Sequence, residues 1–214
     1  MTIKEASIEA PIKDAFTLAV YERVGTSKGD NNRMRADGNI PAVFYSRDAP
    51  SVNIAIDGKD FARAQRAVEK GTLSTTVFTL MVSGRAIKAV IKDIQYQITT
   101  YKVLHLDFEE LKADVKVNIK VPIKLTGVED CQGVKTGGGA LRQVIRTLKV
   151  SCFPTAIPKS FVLNVKDVQF KDKASKEAGS PAKKFLSDIN IPEGVISLAS
   201  NKDLVVVLGK LKAS

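Results

Sequence analysis

Hydrophobic side chains recur at every second position in several short stretches of this chain. Such a period of two is typical of strands that bury one face. It occurs at Phe16, Leu18 and Val20, at Val52, Ile54 and Ile56, and over the longest stretch at Val115, Val117, Ile119, Val121, Ile123 and Leu125. We therefore predict a mainly β fold with a few short helices. Pro122 lies within the longest stretch, and because proline has no N–H for a ladder, we predict an edge strand there.

Shorter apolar runs predict further strands. They span residues 40–45, 77–82, 86–91, 101–108, 148–153, 161–165 and 204–208. Ser83-Gly84, between two of these runs, predicts a tight hairpin. Residues 59–70 instead place Phe61, Ala64 and Val68 on one helical face, with Gly71 as the C-terminal stop.

Three segments lack any regular pattern. Residues 25–32 are polar and rich in turn-forming residues, which predicts a loop. Residues 171–184 are rich in lysine, serine, glycine and alanine, and predict a mobile loop. Residues 137–139 are three glycines without the spacing of a phosphate-binding Walker loop, and predict a flexible turn. A break in the pattern at residues 109–113 predicts two domains, residues 1–110 and 111–214.

The charge balance is basic and unevenly distributed. The chain holds 33 Lys and Arg against 23 Asp and Glu, a net charge of +10, of which residues 1–110 carry +1 and residues 111–214 carry +9. A positive field favours polyanions, and nucleic acid comes before membrane because no stretch forms a basic amphipathic helix. No apolar run is long enough to span a bilayer, and residues 1–15 lack the apolar region of a signal peptide. We therefore expect a cytoplasmic protein without a membrane partner.

The two cysteines predict neither a metal site nor a redox pair. Cys131 and Cys152 are 21 positions apart, with no CxxC spacing and no matching histidines. We expect two free thiols in a reducing compartment and no bound metal.

A first candidate site is the basic segment near the start of the chain. It contains Arg23, Lys28, Arg33 and Arg35, with Tyr45 ten residues further on. Guanidinium groups match phosphate oxygens in a bidentate way, and a tyrosine can stack on a base or bind a sugar hydroxyl. The same residues also fit a solvated basic loop with Tyr45 half in the core, so both interpretations stay open at this point.

A second candidate is the segment from His105 to Phe108. In a strand, His105 and Asp107 project from one face while Leu106 and Phe108 enter the core. Such a pair can form hydrogen bonds with base edges or 2′-hydroxyls in an RNA minor groove, or be a surface pair without a role. An enzyme is the third alternative, but a catalytic pair needs a nucleophile and an orienting group, and this is the only histidine of the chain.

Together these residues resemble one family. The run from Lys28-Gly29 through Arg33-Met34-Arg35 to residues 38–45 (GNIPAVFY) is similar to the signature of the bacterial 5S-rRNA-binding protein of the large ribosomal subunit, numbered twenty-five. Asp93, Gln95 and residues 105–108 match its second signature. Downstream, Val121-Pro122, Gly127, residues 137–141, Pro154 and Ile157-Pro158 resemble the C-terminal domain of the long form of that family, the general stress protein CTC type.

The resemblance implies an N-terminal β-barrel, similar to the anticodon-binding domain of glutaminyl-tRNA synthetase, and a separate β-rich C-terminal domain. It implies a surface that binds the loop E region of 5S rRNA from the minor groove side, carried here by Arg23, Lys28, Arg33, Arg35, Tyr45, Gln95, His105 and Asp107. It implies neither a cofactor nor a small-molecule substrate. The C-terminal domain is expected to contact other ribosomal RNA or ribosomal proteins.

The chain departs from the family pattern at a few positions. Asn31 and Asn32 stand where a small and a basic residue are usual, and Ser46 replaces the usual glycine after Tyr45. These departures predict a somewhat weaker or altered grip on the RNA backbone. The main alternative function is a free RNA-binding stress factor that uses the same surface on tRNA or another folded RNA.

Overall fold

The computed structural model of the chain describes residues 16–23, 25, 27–82, 84–135, 139–168, 183–200 and 202–210. The chain divides into two compact units, Met1–Val115 and Lys116–Ser214. Within the described residues, no helix has the length and apolar character needed to cross a membrane. The same residues bring together no group of three or more histidine, cysteine and carboxylate side chains that could hold a metal ion.

Six strands in the described part of the first unit close into a barrel. Neighbouring strands follow the order β1-β3-β2-β6-β5-β4, and a parallel pairing of β1 with β4 closes the ring. A second parallel pairing joins β2 to β6. The strands are β1 (Phe16–Glu22), β2 (Asn39–Tyr45), β3 (Val52–Asp57), β4 (Val77–Val82), β5 (Arg85–Tyr96) and β6 (Val103–Glu110).

The predicted alternation gives the barrel its core. Leu18 and Val20 of β1 and Leu106 and Phe108 of β6 are buried, while the residues between them lie outside the core. Phe108 meets Phe78 of β4 edge to face, with ring centroids 6.1 Å apart. Aromatic pairs of this geometry add to the stabilisation from the buried area. The core therefore fixes which face of each strand points outward.

Residues 28–36 form a helix, so the predicted loop at 25–32 is wrong over its second half. Helix α1 (Lys28–Ala36) begins after Ser27, whose hydroxyl oxygen accepts a hydrogen bond from the backbone N–H of Asp30 at 3.2 Å. Such a cap satisfies an orphan donor of the first turn. No residue of α1 is buried. The apolar period on which the sequence prediction relied is therefore absent.

The helix predicted at residues 59–70 is present but shorter. Helix α2 (Gly58–Ala67) is capped by Asp57, which accepts a hydrogen bond from the N–H of Lys59. It buries Phe61 and Ala64 as predicted, but it ends at Ala67, before the expected stop at Gly71. The predicted hairpin between β4 and β5 is also present, and Gly84 adopts a φ of +80° there.

The described part of the second unit contains two further sheets. One has the order β10-β7-β9-β12 and the other the order β11-β13-β8. Their strands are β7 (Val117–Thr126), β8 (Gly139–Gln143), β9 (Thr147–Cys152), β10 (Phe161–Asn164), β11 (Lys183–Phe185), β12 (Ile196–Ser197) and β13 (Leu204–Lys210), with the short helix α3 (Gln132–Lys135) before β8. The mainly β fold with an N-terminal barrel and a separate β-rich C-terminal region is thus confirmed.

Strand β7 is central, so the predicted edge position is wrong. It pairs with β9 as far as Pro122 and with β10 from Ile123 onward. Pro122 lies at the end of one ladder and before the start of the other, which accommodates its missing N–H. Cys131 and Cys152 are buried free thiols, as expected. Residues 171–182 and 137–138 of the predicted loops lie outside the described residues. Lys183 and Lys184 belong to β11 and Gly139 to β8, so the loop and turn predictions are wrong at these positions.

Candidate nucleic-acid interface

The outer face of strand β6 carries a row of polar side chains. His105, Asp107 and Glu109 occupy alternate positions, and Leu106 and Phe108 between them are fully buried. Because strand side chains alternate between faces, burial of the two apolar residues turns the three polar ones outward. Gln95 on β5 lies directly opposite His105. The predicted group of Gln95, His105 and Asp107 is therefore brought together on one surface.

Short polar contacts order this row. Nδ1 of His105 lies 2.7 Å from Oδ1 of Asp107. Nζ of Lys92 lies 2.7 Å from Oε2 of Glu109, and both side chains are about three-quarters covered. These two contacts place a side-chain nitrogen next to a carboxylate oxygen at two points along the row.

Tyr45 extends the same surface onto strand β2. It lies opposite Glu109 in the parallel β2–β6 pairing, while Phe44 beside it faces the core. Burial raises the pKa of the Tyr45 phenol to about 12, and the negative charges of Glu109, Asp107 and Asp93 add to the effect. The phenol therefore stays protonated and remains a hydrogen-bond donor at any physiological pH.

Two arginines lie at the edge of this surface, Arg35 on helix α1 and Arg23 just after strand β1. Nε of Arg35 donates a hydrogen bond to the carbonyl oxygen of Leu104 at 3.1 Å, next to His105. Nε of Arg23 donates to the carbonyl oxygen of Ile54 at 3.1 Å. The pKa of Arg23 is lowered, first by burial and then by the positive charge of Arg35. The two guanidinium groups are thus close enough to repel one another, which favours an anion beside them.

The two asparagines that depart from the family pattern both contact these arginines. Oδ1 of Asn31 accepts a hydrogen bond from Nη1 of Arg23 at 2.6 Å. Oδ1 of Asn32 accepts one from Nη1 of Arg35 at 3.4 Å. An amide oxygen orients a guanidinium without neutralising it. Both asparagines therefore help to orient an arginine, and their effect on RNA binding stays a prediction.

Lys28 and Arg33 are placed differently. Both are exposed on α1. Arg33 precedes Arg35 by two residues, which is about 200° around a helix, so it leaves the side of α1 that contacts β6. Its Nη1 lies 3.7 Å from Oδ1 of Asp30. The structure therefore does not bring Arg33 to the polar row. Lys28 precedes Arg35 by seven residues, which is close to two full turns, so it lies on the same side of the helix as Arg35.

Sequence reasoning missed two contributors to this surface, Lys92 and Glu109, which pair across β5 and β6. It singled out Asn31 and Asn32 as departures from the family pattern but did not predict that they contact the arginines. The strand period offered a signal for Glu109, since it follows Asp107 by two positions. Nothing in the sequence indicated Lys92, because a bulge between Ile91 and Asp93 shifts the register there.

The chain matches known proteins over both units. The model of the Ribosomal L25p family matches residues 18–108, and that of the ribosomal protein TL5 C-terminal domain matches residues 116–210. The large ribosomal subunit protein bL25 of Chlamydia caviae is 40% identical over 193 residues, 90% of this chain and 98% of that protein. The bL25 proteins of Chlamydia pneumoniae and Chlamydia trachomatis serovar L2 are 42% and 41% identical over the same shares.

These matches agree with the resemblance drawn from the two signatures and from the C-terminal motifs. They also exclude the enzymatic alternative for His105 and Asp107, because the family is structural. The chain belongs to the ribosomal L25p family, in its long two-domain form, and is a ribosomal protein rather than an enzyme.

Proposed function

We propose that this protein is a structural constituent of the large ribosomal subunit that binds 5S rRNA through the outer face of its barrel. The surface consists of the polar row on β6, Gln95, Tyr45 and the arginines held by α1. As a member of a ribosomal family, the protein acts in the cytoplasm on the ribosome, as predicted. The observation that supports the proposal most directly is the hydrogen bond from Arg35 to Leu104, which sets cationic and polar groups side by side.

The chemistry of this surface suits a wide RNA minor groove. The phenol of Tyr45 donates, the carboxylate of Asp107 accepts, and the amide of Gln95 does both. Base edges and 2′-hydroxyls in the minor groove present matching acceptors and donors. Arg23 and Arg35 at the edge of the row can reach phosphates that flank the groove. The loop E region of 5S rRNA, approached from its minor groove side, is the proposed target.

The low net charge of residues 1–110 is compatible with this role. Affinity for RNA depends on the local field at the contact surface more than on the sum over a domain. Asp107 and Glu109 lie on the surface, but Lys92 pairs with Glu109 and His105 lies against Asp107. The arginines therefore dominate the field at the side of the surface next to α1.

The test is a binding measurement with the full chain over a series of salt concentrations. We expect tight binding to 5S rRNA, and at least tenfold weaker binding to the same RNA with loop E replaced by Watson–Crick pairs. Equal affinity for both RNAs would remove loop E from the proposal. Tighter binding to tRNA would favour the free RNA-binding factor, which should also fail to sediment with the large subunit at physiological salt.

We further propose that the second unit contacts other ribosomal RNA or a ribosomal protein. Residues 111–214 carry a net charge of +9. Lys120 and Lys149 lie directly opposite one another on β7 and β9, and both side chains are exposed. Two lysines side by side on one sheet face give that face a positive field, which favours an anionic partner such as RNA phosphate.

This second proposal is tested by replacing both lysines in the full chain with glutamine. We expect the variant to bind isolated 5S rRNA normally but to dissociate from the large subunit at lower salt. Lys202→Gln, an exposed lysine of the same unit outside these two strands, is the control. Unchanged retention on the subunit would exclude this pair of lysines.

A further inference from the structure

The hairpin that joins β5 to β6 ends in an exposed tip, residues 96–102. Every residue of the tip is exposed. Three of them are large and apolar or aromatic: Tyr96 is 41% exposed, Ile98 89% and Tyr101 80%. Large side chains so exposed and so close together usually mark a site of interaction.

The backbone at Tyr101 is held in an unfavourable conformation. Its φ is +55°, and it is the one residue other than glycine with a positive φ among those described. A side chain with a Cβ rarely adopts this region, and such strain concentrates at functional positions. The N–H of Tyr101 donates a hydrogen bond to the carbonyl oxygen of Gln97 at 2.8 Å. The N–H of Gln97 in turn donates to the carbonyl oxygen of Lys102 at 2.8 Å. The turn thus fixes the Tyr101 backbone, so little order is lost there on binding.

The tip is continuous with the proposed RNA surface. Tyr96 directly follows Gln95, and it pairs with Val103, two residues before His105. From Ile94 to Leu106 the chain contains no carboxylate, and Lys102 supplies a positive charge. A ligand that covers Gln95 and His105 therefore meets exposed aromatic rings and a cation a few residues further along the same hairpin.

We propose that the tip binds an unpaired base of the RNA held by the barrel, with the ring of Tyr101 as the stacking platform. The inference rests on the proposed binding of 5S rRNA and adds a second type of contact to it. Aromatic rings stack on any base that is displaced from a helix, and a neighbouring lysine holds the adjoining phosphate. An apolar protein partner is less favoured, because four of the seven tip residues are Gln, Thr or Lys.

The experiment uses two substitutions at position 101 in the full chain. Tyr101→Gly removes the ring and suits the positive φ, so the fold should be at least as stable towards denaturant as the wild type. We expect its affinity for 5S rRNA to fall roughly tenfold. Tyr101→Phe keeps the ring and should bind as the wild type does. A loss of affinity without a loss of stability separates stacking from a structural role.

A fluorescence measurement tests the stacking directly. The chain contains no tryptophan, so Tyr101→Trp introduces a single reporter. We expect addition of 5S rRNA to quench its emission. Met81→Trp is the matched control, because Met81 is exposed at the opposite end of the β4–β5 ladder from the tip, and its emission should stay constant.

The outcomes distinguish this inference from the proposed function. If Tyr101→Gly binds 5S rRNA as tightly as the wild type and the emission of the Tyr101→Trp variant is unchanged, the stacking contact is excluded while the barrel site stands. If RNA affinity is unchanged but retention on the large subunit falls, the tip contacts a protein and the inference is wrong. If the wild type does not bind 5S rRNA, both proposals fail together.

Discussion

Arg35 and Leu104 are 69 residues apart in the sequence, yet Nε of the arginine donates a 3.1 Å hydrogen bond to the carbonyl oxygen of the leucine. This bond attaches helix α1, which buries no residue of its own, to the strand that carries His105 and Asp107. The guanidinium therefore has a fixed backbone anchor and a second contact from Nη1 to Asn32, and its other N–H groups can serve a ligand.

Replacing Arg35 with alanine should weaken binding of 5S rRNA by about 1–3 kcal/mol, because it removes a charge and loosens α1 from β6. The slope of affinity against salt concentration should also become less steep, since fewer counterions are released. Filter binding over a salt series measures both quantities. Arg63→Ala, an exposed arginine of α2 that pairs with Asp60, is the control and should have no effect.

Arg33→Ala should behave more like this control than like Arg35→Ala, because Arg33 lies on another side of the helix. A loss as large as that of Arg35→Ala would contradict the placement of the RNA along β6.

Asn31→Ala should weaken RNA binding by about 1 kcal/mol without unfolding the protein. The amide oxygen of Asn31 accepts a 2.6 Å hydrogen bond from Arg23, so its removal frees a guanidinium that is otherwise held in one orientation. Isothermal titration with 5S rRNA measures the change. In the background of Arg23→Ala the same substitution should have almost no further effect, and additive losses would show that Asn31 acts independently of Arg23.

The free energy of unfolding should fall between pH 10 and pH 12, in part because of the ionisation of Tyr45. The pKa of this phenol is raised to about 12 in the folded protein, from an ordinary value near 10. The stabilisation that comes from this difference in pKa is fully present below pH 10. It is lost as the pH rises towards 12, because the phenol of the unfolded chain ionises first. Denaturant titrations should show a smaller loss over this range for Tyr45→Phe. Tyr21→Phe, an exposed tyrosine of β1, is the comparison, and an identical loss in all three proteins would reject the prediction.

Ser46→Ala should raise the free energy of unfolding by about 1 kcal/mol. The hydroxyl oxygen of Ser46 is buried and has no hydrogen-bond partner in the part of the chain that the structure describes. Alanine removes this unsatisfied group while it keeps the Cβ. The midpoint of urea unfolding measures the change, and Ser51→Ala, at an exposed serine, should leave it unaltered. A lower midpoint for Ser46→Ala would mean that the hydroxyl is satisfied in solution.

The sequence by itself determined the strands of the barrel, their inward and outward faces, and the position of His105 and Asp107 on one polar face. It did not predict β8, β11 and β12 of the second unit. A period of two is a local property, and burial of Leu106 and Phe108 follows from it. Helix α1 was hidden because its formation depends on a cap at Ser27 and on a distant carbonyl oxygen rather than on an apolar face.

Tertiary structure alone decided which neighbours meet across strands and elements. The pairing of Lys92 with Glu109 depends on a bulge, the central position of β7 depends on partners that lie later in the chain, and the orientation of Arg23 depends on Asn31. These contacts join residues through the geometry of sheet closure and register, which no spacing along the chain encodes.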